Sequence, residues 1–282
     1  MAEKKKLKDL TIKNNFMFAA VMCDENNCKQ LLELVLQIPI ERVEVSKEKS
    51  IVYHPEYKGV RLDVFAKDEN HTHYNVEMQS IYKKAIGKRA RYYHSQIDME
   101  LLRSGKDYAE LPDSYVIFIC DFDPFGQRKY CYTFENRCLE DMGLNQLDGG
   151  RSIFLSTRGN NDADVPERLV KFLKFVKADL EDCNKDYEDD FIKTLQQSVQ
   201  HIKESREMEE RFMVFELLLK DERAEGKAEG KAESVIELLE ELGTVSDELR
   251  EKVMNETDLK VLAKWLKMAA KADSIEQFLQ NM

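Results

Sequence analysis

The hydrophobic pattern changes period several times along the chain. From Cys28 to Ile38, Leu31, Leu32, Val35 and Leu36 recur at helical spacing, and Pro39 stops the run. Ser50 to Tyr53 reads as a short strand. Then Val60, Leu62, Val64 and Ala66 alternate with Arg61, Asp63 and Phe65. After the polar Asp68-Glu69-Asn70-His71, Tyr74, Val76 and Met78 alternate with His73, Asn75, Glu77 and Gln79. Two alternating runs joined by a short polar loop predict a β-hairpin, one face apolar and the other carrying Arg61, Asp63, Glu77 and Gln79. A long helix is expected from Ile81 to Leu102, with Ile86, Ala90, Tyr93, Ile97 and Leu101 as its apolar stripe and Gly105 just past its end. Ser114 to Cys120 is nearly all apolar, as in a strand buried on both faces. Lys129 to Phe134 and Ser152 to Leu155 suggest further strands, and from Pro166 onward the pattern is helical.

Near the C-terminus, between Arg223 and Glu233, the chain repeats AEGKAEGKAE. In a helix this period keeps Ala224, Ala228 and Ala232 on one stripe and Gly226 and Gly230 on another. Each glycine costs about 1 kcal/mol relative to alanine, so the segment reads as a thin connecting helix or a flexible linker. Val235–Leu242, Asp247–Asn255, Asp258–Lys271 and Ser274–Gln280 follow as four short helices, with Gly243 as a stop and Asp273 and Glu276 as a capping box. The expected organisation is a domain over 1–220, a repetitive linker helix over 221–234 and a small helical module over 235–282. Such a short module, apolar on helical spacing, points to a homo-oligomer formed through the C-terminal helices.

Composition narrows the function. The 282 residues are 43% hydrophobic, enough for one large core and an appendage. No apolar run is long enough to span a bilayer, and the lysine-rich start is followed by no apolar segment, so neither a membrane partner nor a secretory signal is expected. The six cysteines form no CxxC pair and no zinc spacing, which fits free thiols in a cytoplasmic protein. P-loop, GxSxG and GxGxxG motifs are absent. His71-Thr72-His73 and Asp121-Phe122-Asp123-Pro124 read as turns rather than metal or carboxylate centres. The formal charge of −11 opposes wrapping of nucleic acid by the whole surface. Any nucleic-acid contact must be local, and Ser80 to Ile97 supplies Lys83, Lys84, Lys88, Arg89 and Arg91 with no acid until Asp98. Lys84, Lys88 and Arg91 share the face opposite the apolar stripe, and Arg89, Tyr92 and Gln96 flank it. These six are the candidate DNA contacts.

The candidate chemistry lies on the hairpin. A turn centred on Asn70 sets Phe65 opposite Asn75, Asp63 opposite Glu77 and Arg61 opposite Gln79. Carboxylates facing each other across a ladder repel, and a hard divalent cation between them converts that repulsion into binding.

An Asp on one strand followed by (D/E)-x-K on the next is the active-site pattern of the PD-(D/E)XK nucleases. Here it stands as Leu62-Asp63 and Glu77-Met78-Gln79, with Gln in the Lys position. GVRLDVFAKDENHTHYNVEMQ, RARYYHSQID and ELPDSYVIFI resemble the Rpn-type branch, the PD-(D/E)XK nuclease family transposases or recombination-promoting nucleases. The resemblance spans roughly residues 11–220, and the AEGK repeat and the ExQ ending are also familiar in that branch. It implies an α/β, restriction-endonuclease-like mixed central sheet flanked by helices, with an all-α C-terminal extension. It implies Mg2+ (or Mn2+) held by Asp63, Glu77 and the backbone carbonyl of Met78, with DNA as substrate. Gln79 then orients a water without adding charge, and Arg61 or Arg89 supplies the missing cation. Relatives often carry an acid in the N-terminal motif where this chain has Asn15. The implied function is a metal-dependent DNA endonuclease linked to recombination or mobile elements. The alternative is a weak or inactive nuclease fold that binds DNA or assembles partners.

Overall fold

The structure is a computed structural model that describes residues 6–46, 50–51, 60–61 and 63–282, with backbone alone for 50–51 and 60–61. The described residues divide into two compact units, 1–209 and 210–282.

The first unit is built on a six-stranded mixed sheet. Its strands are β1 (Val43–Ser46), β4 (Val64–Asp68), β5 (His73–Gln79), β6 (Ser114–Cys120), β7 (Cys131–Phe134) and β8 (Gly150–Ser156), in the order β1-β4-β5-β6-β8-β7. β5, β6 and β8 run parallel; the other pairings are antiparallel. A separate two-stranded sheet pairs β2 (Ser50–Ile51) with β3 (Val60–Arg61). The helices are α1 (Asn15–Met22), α2 (Glu25–Leu36), α3 (Ile86–Leu101), α4 (Glu167–Lys177) and α5 (Asp190–Glu204).

Local chemistry accounts for the hairpin. Asp68 Oδ1 accepts from the backbone N–H groups of Asn70 and Thr72, both at 2.9 Å, and its other oxygen accepts from the Tyr74 hydroxyl at 2.7 Å. That turn sets Phe65 opposite Asn75 and Val64 opposite Val76, the register expected of a loop centred on Asn70. Asn14 and Asp24 cap α1 and α2 through backbone N–H groups, which starts α2 a turn earlier than the apolar pattern alone suggests. At the entry to β8, Gly149 is in the left-handed region (φ +72), and a Cβ there would lie 2.3 Å from Asp113 Oδ1.

The sheet is covered on both faces. Tyr74, Val76 and Met78 are buried on one face of β5, the side that α1 meets. On the other face, Ala90, Tyr93 and Ile97 of α3 pack with Phe65, Val116, Phe118 and Phe154. The polar residues of β5 alternate onto this same covered face.

Several expectations are corrected. The run from Val60 to Ala66 is not one strand: β3 and β4 belong to different sheets, and Arg61 pairs through its backbone with Ser50 rather than facing Gln79. The side chain of Arg61, like Leu62 and the end of the expected 50–53 strand, lies outside the described residues. The face of the hairpin that carries Glu77 and Gln79 is covered by α3, where the alternation alone left open what lies over it. That helix begins at Ile86, after Ala85 in the left-handed conformation (φ 64), not at Ile81.

Of the two readings of the repeat, a connecting helix or a flexible linker, the helix is the one seen. One helix, α6, runs continuously through Arg206–Leu242. In the second unit, Ala228 and Ala232 are buried with Val235, Ile236 and Leu239. A period of four stays close enough to the helical turn to hold the alanines on the packed stripe, and that packing outweighs the glycine cost. α7 (Asp247–Met254), α8 (Leu259–Ala269) and α9 (Ile275–Asn281) complete this unit around Val253, Leu262, Trp265 and Phe278. α9 is capped by Ser274, which accepts from Gln277 N, while Gln277 Oε1 accepts from Asp273 N. The box expected at Asp273 and Glu276 is therefore shifted by one residue.

Candidate active site

β4 and β5 bring Asp63 and Glu77 together. Asp63 lies just before β4, where the chain leaves the ladder. Its backbone N–H donates to Glu77 Oε1 at 3.2 Å, and its own Oδ2 accepts from Met78 N at 3.1 Å. The two acids are thus tied by reciprocal backbone-to-carboxylate hydrogen bonds. Asn15, at the start of α1, reaches the same oxygen of Asp63 through Nδ2 at 3.4 Å. The N-terminal motif therefore adds an amide, and no charge, to this corner.

Glu77 is fully buried. Its Oε2 accepts from Arg89 Nη2 at 2.9 Å, from the Tyr93 hydroxyl at 3.4 Å and from Gln79 Nε2 at 3.5 Å. Arg89 also donates through Nη1 to Gln79 Oε1 at 2.9 Å and through Nε to the Tyr93 hydroxyl at 2.7 Å. Burial and the neighbouring Asp63 carboxylate push the Glu77 carboxyl upward, and Arg89 opposes them. Asp63 and Glu77 thus stand together beside the Arg89 guanidinium.

Asn75, two residues before Glu77 on the same face, is also fully buried, and neither of its amide atoms has a hydrogen-bond partner of ordinary length. A buried amide beside the Glu77 carboxyl, without a hydrogen bond of ordinary length, is where a bound water belongs. These features fit a hard divalent cation. Mg2+ takes one or two carboxylates and keeps several waters, so it does not require a cage of protein ligands. Among the described residues, no three His, Cys, Asp or Glu side chains stand together as a metal cluster. Asp63 and Glu77 are the carboxylates brought together here, with the Met78 N–H on Asp63.

The remaining candidates fall into two groups. Lys84, Lys88 and Arg91 are exposed, as is Lys83. Tyr92 is half-buried against the α3–sheet core and Gln96 is buried, so neither projects with the lysines. Arg89 turns inward to the carboxylates. Tyr93 was legible only as part of an apolar stripe; its hydroxyl enters the site because it stands one turn after Arg89. Asp123 accepts from Tyr132, Phe125 N and Arg128 N, and Asp121 from Thr157, so the aspartate-rich segment is a turn. All six cysteines are free thiols.

Residues 12–146 match the model of the PD-(D/E)XK nuclease family transposases. The mixed sheet flanked by helices agrees with the fold of those nucleases. No curated protein and no solved structure matches the chain. Among the described residues, no helix is long and apolar enough to cross a membrane.

Proposed function

We propose that this chain, whose residues 12–146 match the model of the PD-(D/E)XK nuclease family transposases, is a metal-dependent DNA endonuclease acting in recombination or mobile-element biology. The observation that carries this reading is the Asp63–Glu77 pair, locked together by Asp63 N to Glu77 Oε1 and Met78 N to Asp63 Oδ2. A structural hairpin gains nothing from placing two carboxylates side by side.

Asp63, Glu77 and the Met78 carbonyl would hold Mg2+ or Mn2+. When bound, such an ion polarises a phosphodiester oxygen and lowers the pKa of a water beside it. The chain's own groups do the rest. Arg89 brings from α3 the positive charge that Gln79 lacks and stabilises charge developing on the phosphate. Gln79, whose oxygen is engaged by Arg89, orients a water through its amide. Tyr93 holds the guanidinium in place. Lys84, Lys88 and Arg91 meet the DNA backbone as point charges. The second unit, helical in all its elements, supports self-association rather than cleavage.

A second reading has its own observation. Arg89 occupies Glu77 Oε2, and Glu77 is fully buried, so this arrangement is closed to a phosphate until Arg89 moves. A nuclease fold kept in that state binds DNA without cutting it. Nicking of supercoiled plasmid by the full chain separates the two readings. Metal-dependent nicking that disappears in Asp63→Ala supports the enzyme. DNA binding without nicking in either Mg2+ or Mn2+ supports the second reading.

A further inference from the structure

Between Gln79 and the start of α3 the chain runs through Ser80-Ile81-Tyr82-Lys83-Lys84-Ala85, all exposed. Ile81 is 72% exposed and Tyr82 57%. Single exposed hydrophobic residues need no explanation. Two large ones in succession, followed by two lysines and set directly after the candidate active site, call for one. The segment is also held in position. Ala85 closes it in the left-handed conformation, and the Tyr82 ring packs edge-on against Phe122 with centroids 5.3 Å apart. Phe122 follows Asp121, whose N–H donates to the Gln79 carbonyl at 2.9 Å. The aromatic pair therefore stands at the C-terminal ends of parallel β5 and β6, the end to which Glu77 and Gln79 belong.

The geometry points to Tyr82, with Ile81 beside it, as a platform for an unpaired base, so that the DNA this site takes is duplex with a flipped, bulged or single-stranded nucleotide next to the bond to be cut. This rests on the nuclease reading above and names its substrate class. An exposed aromatic ring among cations is the arrangement that single-stranded nucleic acid uses: bases stack on the ring and lysines follow the phosphates. Lys83, Lys84 and Lys88 supply those cations, and residues 80–97 contain no acid to repel the backbone. A fully paired duplex presents no base face to such a ring. It would gain from the lysines alone.

The test uses the full chain with Ca2+ in place of Mg2+, and two labelled duplexes of the same sequence. One is fully paired; the other carries a short bulge containing 2-aminopurine. The wild type is expected to prefer the bulged duplex and to quench its 2-aminopurine. Tyr82→Ala should lower affinity for that duplex by about 5- to 100-fold, the worth of one stacked base, with little effect on the paired one. Tyr82→Phe and Tyr82→Trp should keep both the preference and the quench. Lys84→Glu with Lys88→Glu should weaken both duplexes alike and flatten the salt dependence. Equal binding of the two duplexes by the wild type, or a Tyr82→Ala loss that is the same for both, overturns the base platform and leaves the nuclease reading standing. Failure to bind either duplex, together with failure to nick plasmid, removes both.

Discussion

Arg89 of α3 donates to Gln79 Oε1 of β5 at 2.9 Å, and the other end of the same guanidinium donates to Glu77 Oε2 at 2.9 Å. The residue that stands where the nuclease pattern has a lysine is therefore bonded to a cation from another element. The positive charge beside Gln79 comes from the helix.

Arg89→Ala is expected to lower kcat for DNA nicking by about 10²- to 10³-fold, the usual loss when one transition-state donor is removed. Gln79→Lys alone places a second cation beside Arg89 and should slow cleavage. Gln79→Lys combined with Arg89→Ala returns one cation to the pair and should recover part of the loss. Steady-state nicking rates on the three variants read this directly. An undiminished rate in Arg89→Ala would place the working charge elsewhere.

Calorimetry with Mn2+ on the full chain should show one site that vanishes in Asp63→Asn and in Glu77→Gln. The motive is the reciprocal tie between the two carboxylates. Either substitution leaves one acid facing Arg89, a neutral pair with little reason to take a cation. Mn2+ binding unchanged in both variants sinks the metal assignment.

His94 makes the pH dependence specific. Its ring nitrogens meet Ser114 Oγ at 2.8 Å and Ser152 Oγ at 3.1 Å, and burial lowers its pKa against weaker raising effects from the Arg151 backbone and Asp148. The acids near it, Asp98 and Asp148, lie on α3 and at the entry to β8, and Asp98 is itself raised, by burial first. The unfolded chain takes up a proton near pH 6.5 that the folded chain refuses. Stability from the neutral ring is therefore fully present above about pH 6.5 and declines as the pH falls toward the lower folded value. Urea unfolding at about pH 7.5 and about pH 5.5 should show a smaller decline in His94→Gln than in wild type. Equal declines would assign the pH dependence to other groups.

The chain's one tryptophan, Trp265, is buried in the second unit, so its fluorescence reports on that unit. Leu262, fully buried beside it, should cost about 2–5 kcal/mol when cut to alanine. Leu262→Ala should move the tryptophan unfolding transition to lower urea and leave Mn2+ binding by the first unit unchanged. Loss of both together would mean that the two units do not fold independently.

The register of β4 and β5 was determined by the sequence itself. Strict alternation fixes which side chains share a face, and the polar turn at Asp68 sets the pairing, so Phe65 opposite Asn75 follows without any tertiary information. The apolar run Ser114 to Cys120 likewise specifies a strand buried on both sides. These are local properties, decided by the geometry of a few consecutive residues. Tertiary structure decided what lies across each face. Alternation marks Glu77 and Gln79 as sharing a side but does not say whether water or a helix covers it. α3 covers it, which buries Glu77, brings Arg89 rather than Arg61 to Gln79 and turns Tyr93 from a packing residue into a donor. The break at Asp63 was invisible for the same reason: its N–H bonds to a carboxylate from another strand rather than continuing the ladder. The AEGK repeat, weak as an isolated helix, is part of a core because its alanine stripe joins one buried cluster with residues of α7, α8 and α9. Propensity depends on a residue and its neighbours in the chain; burial depends on which distant surfaces the folded chain brings against them.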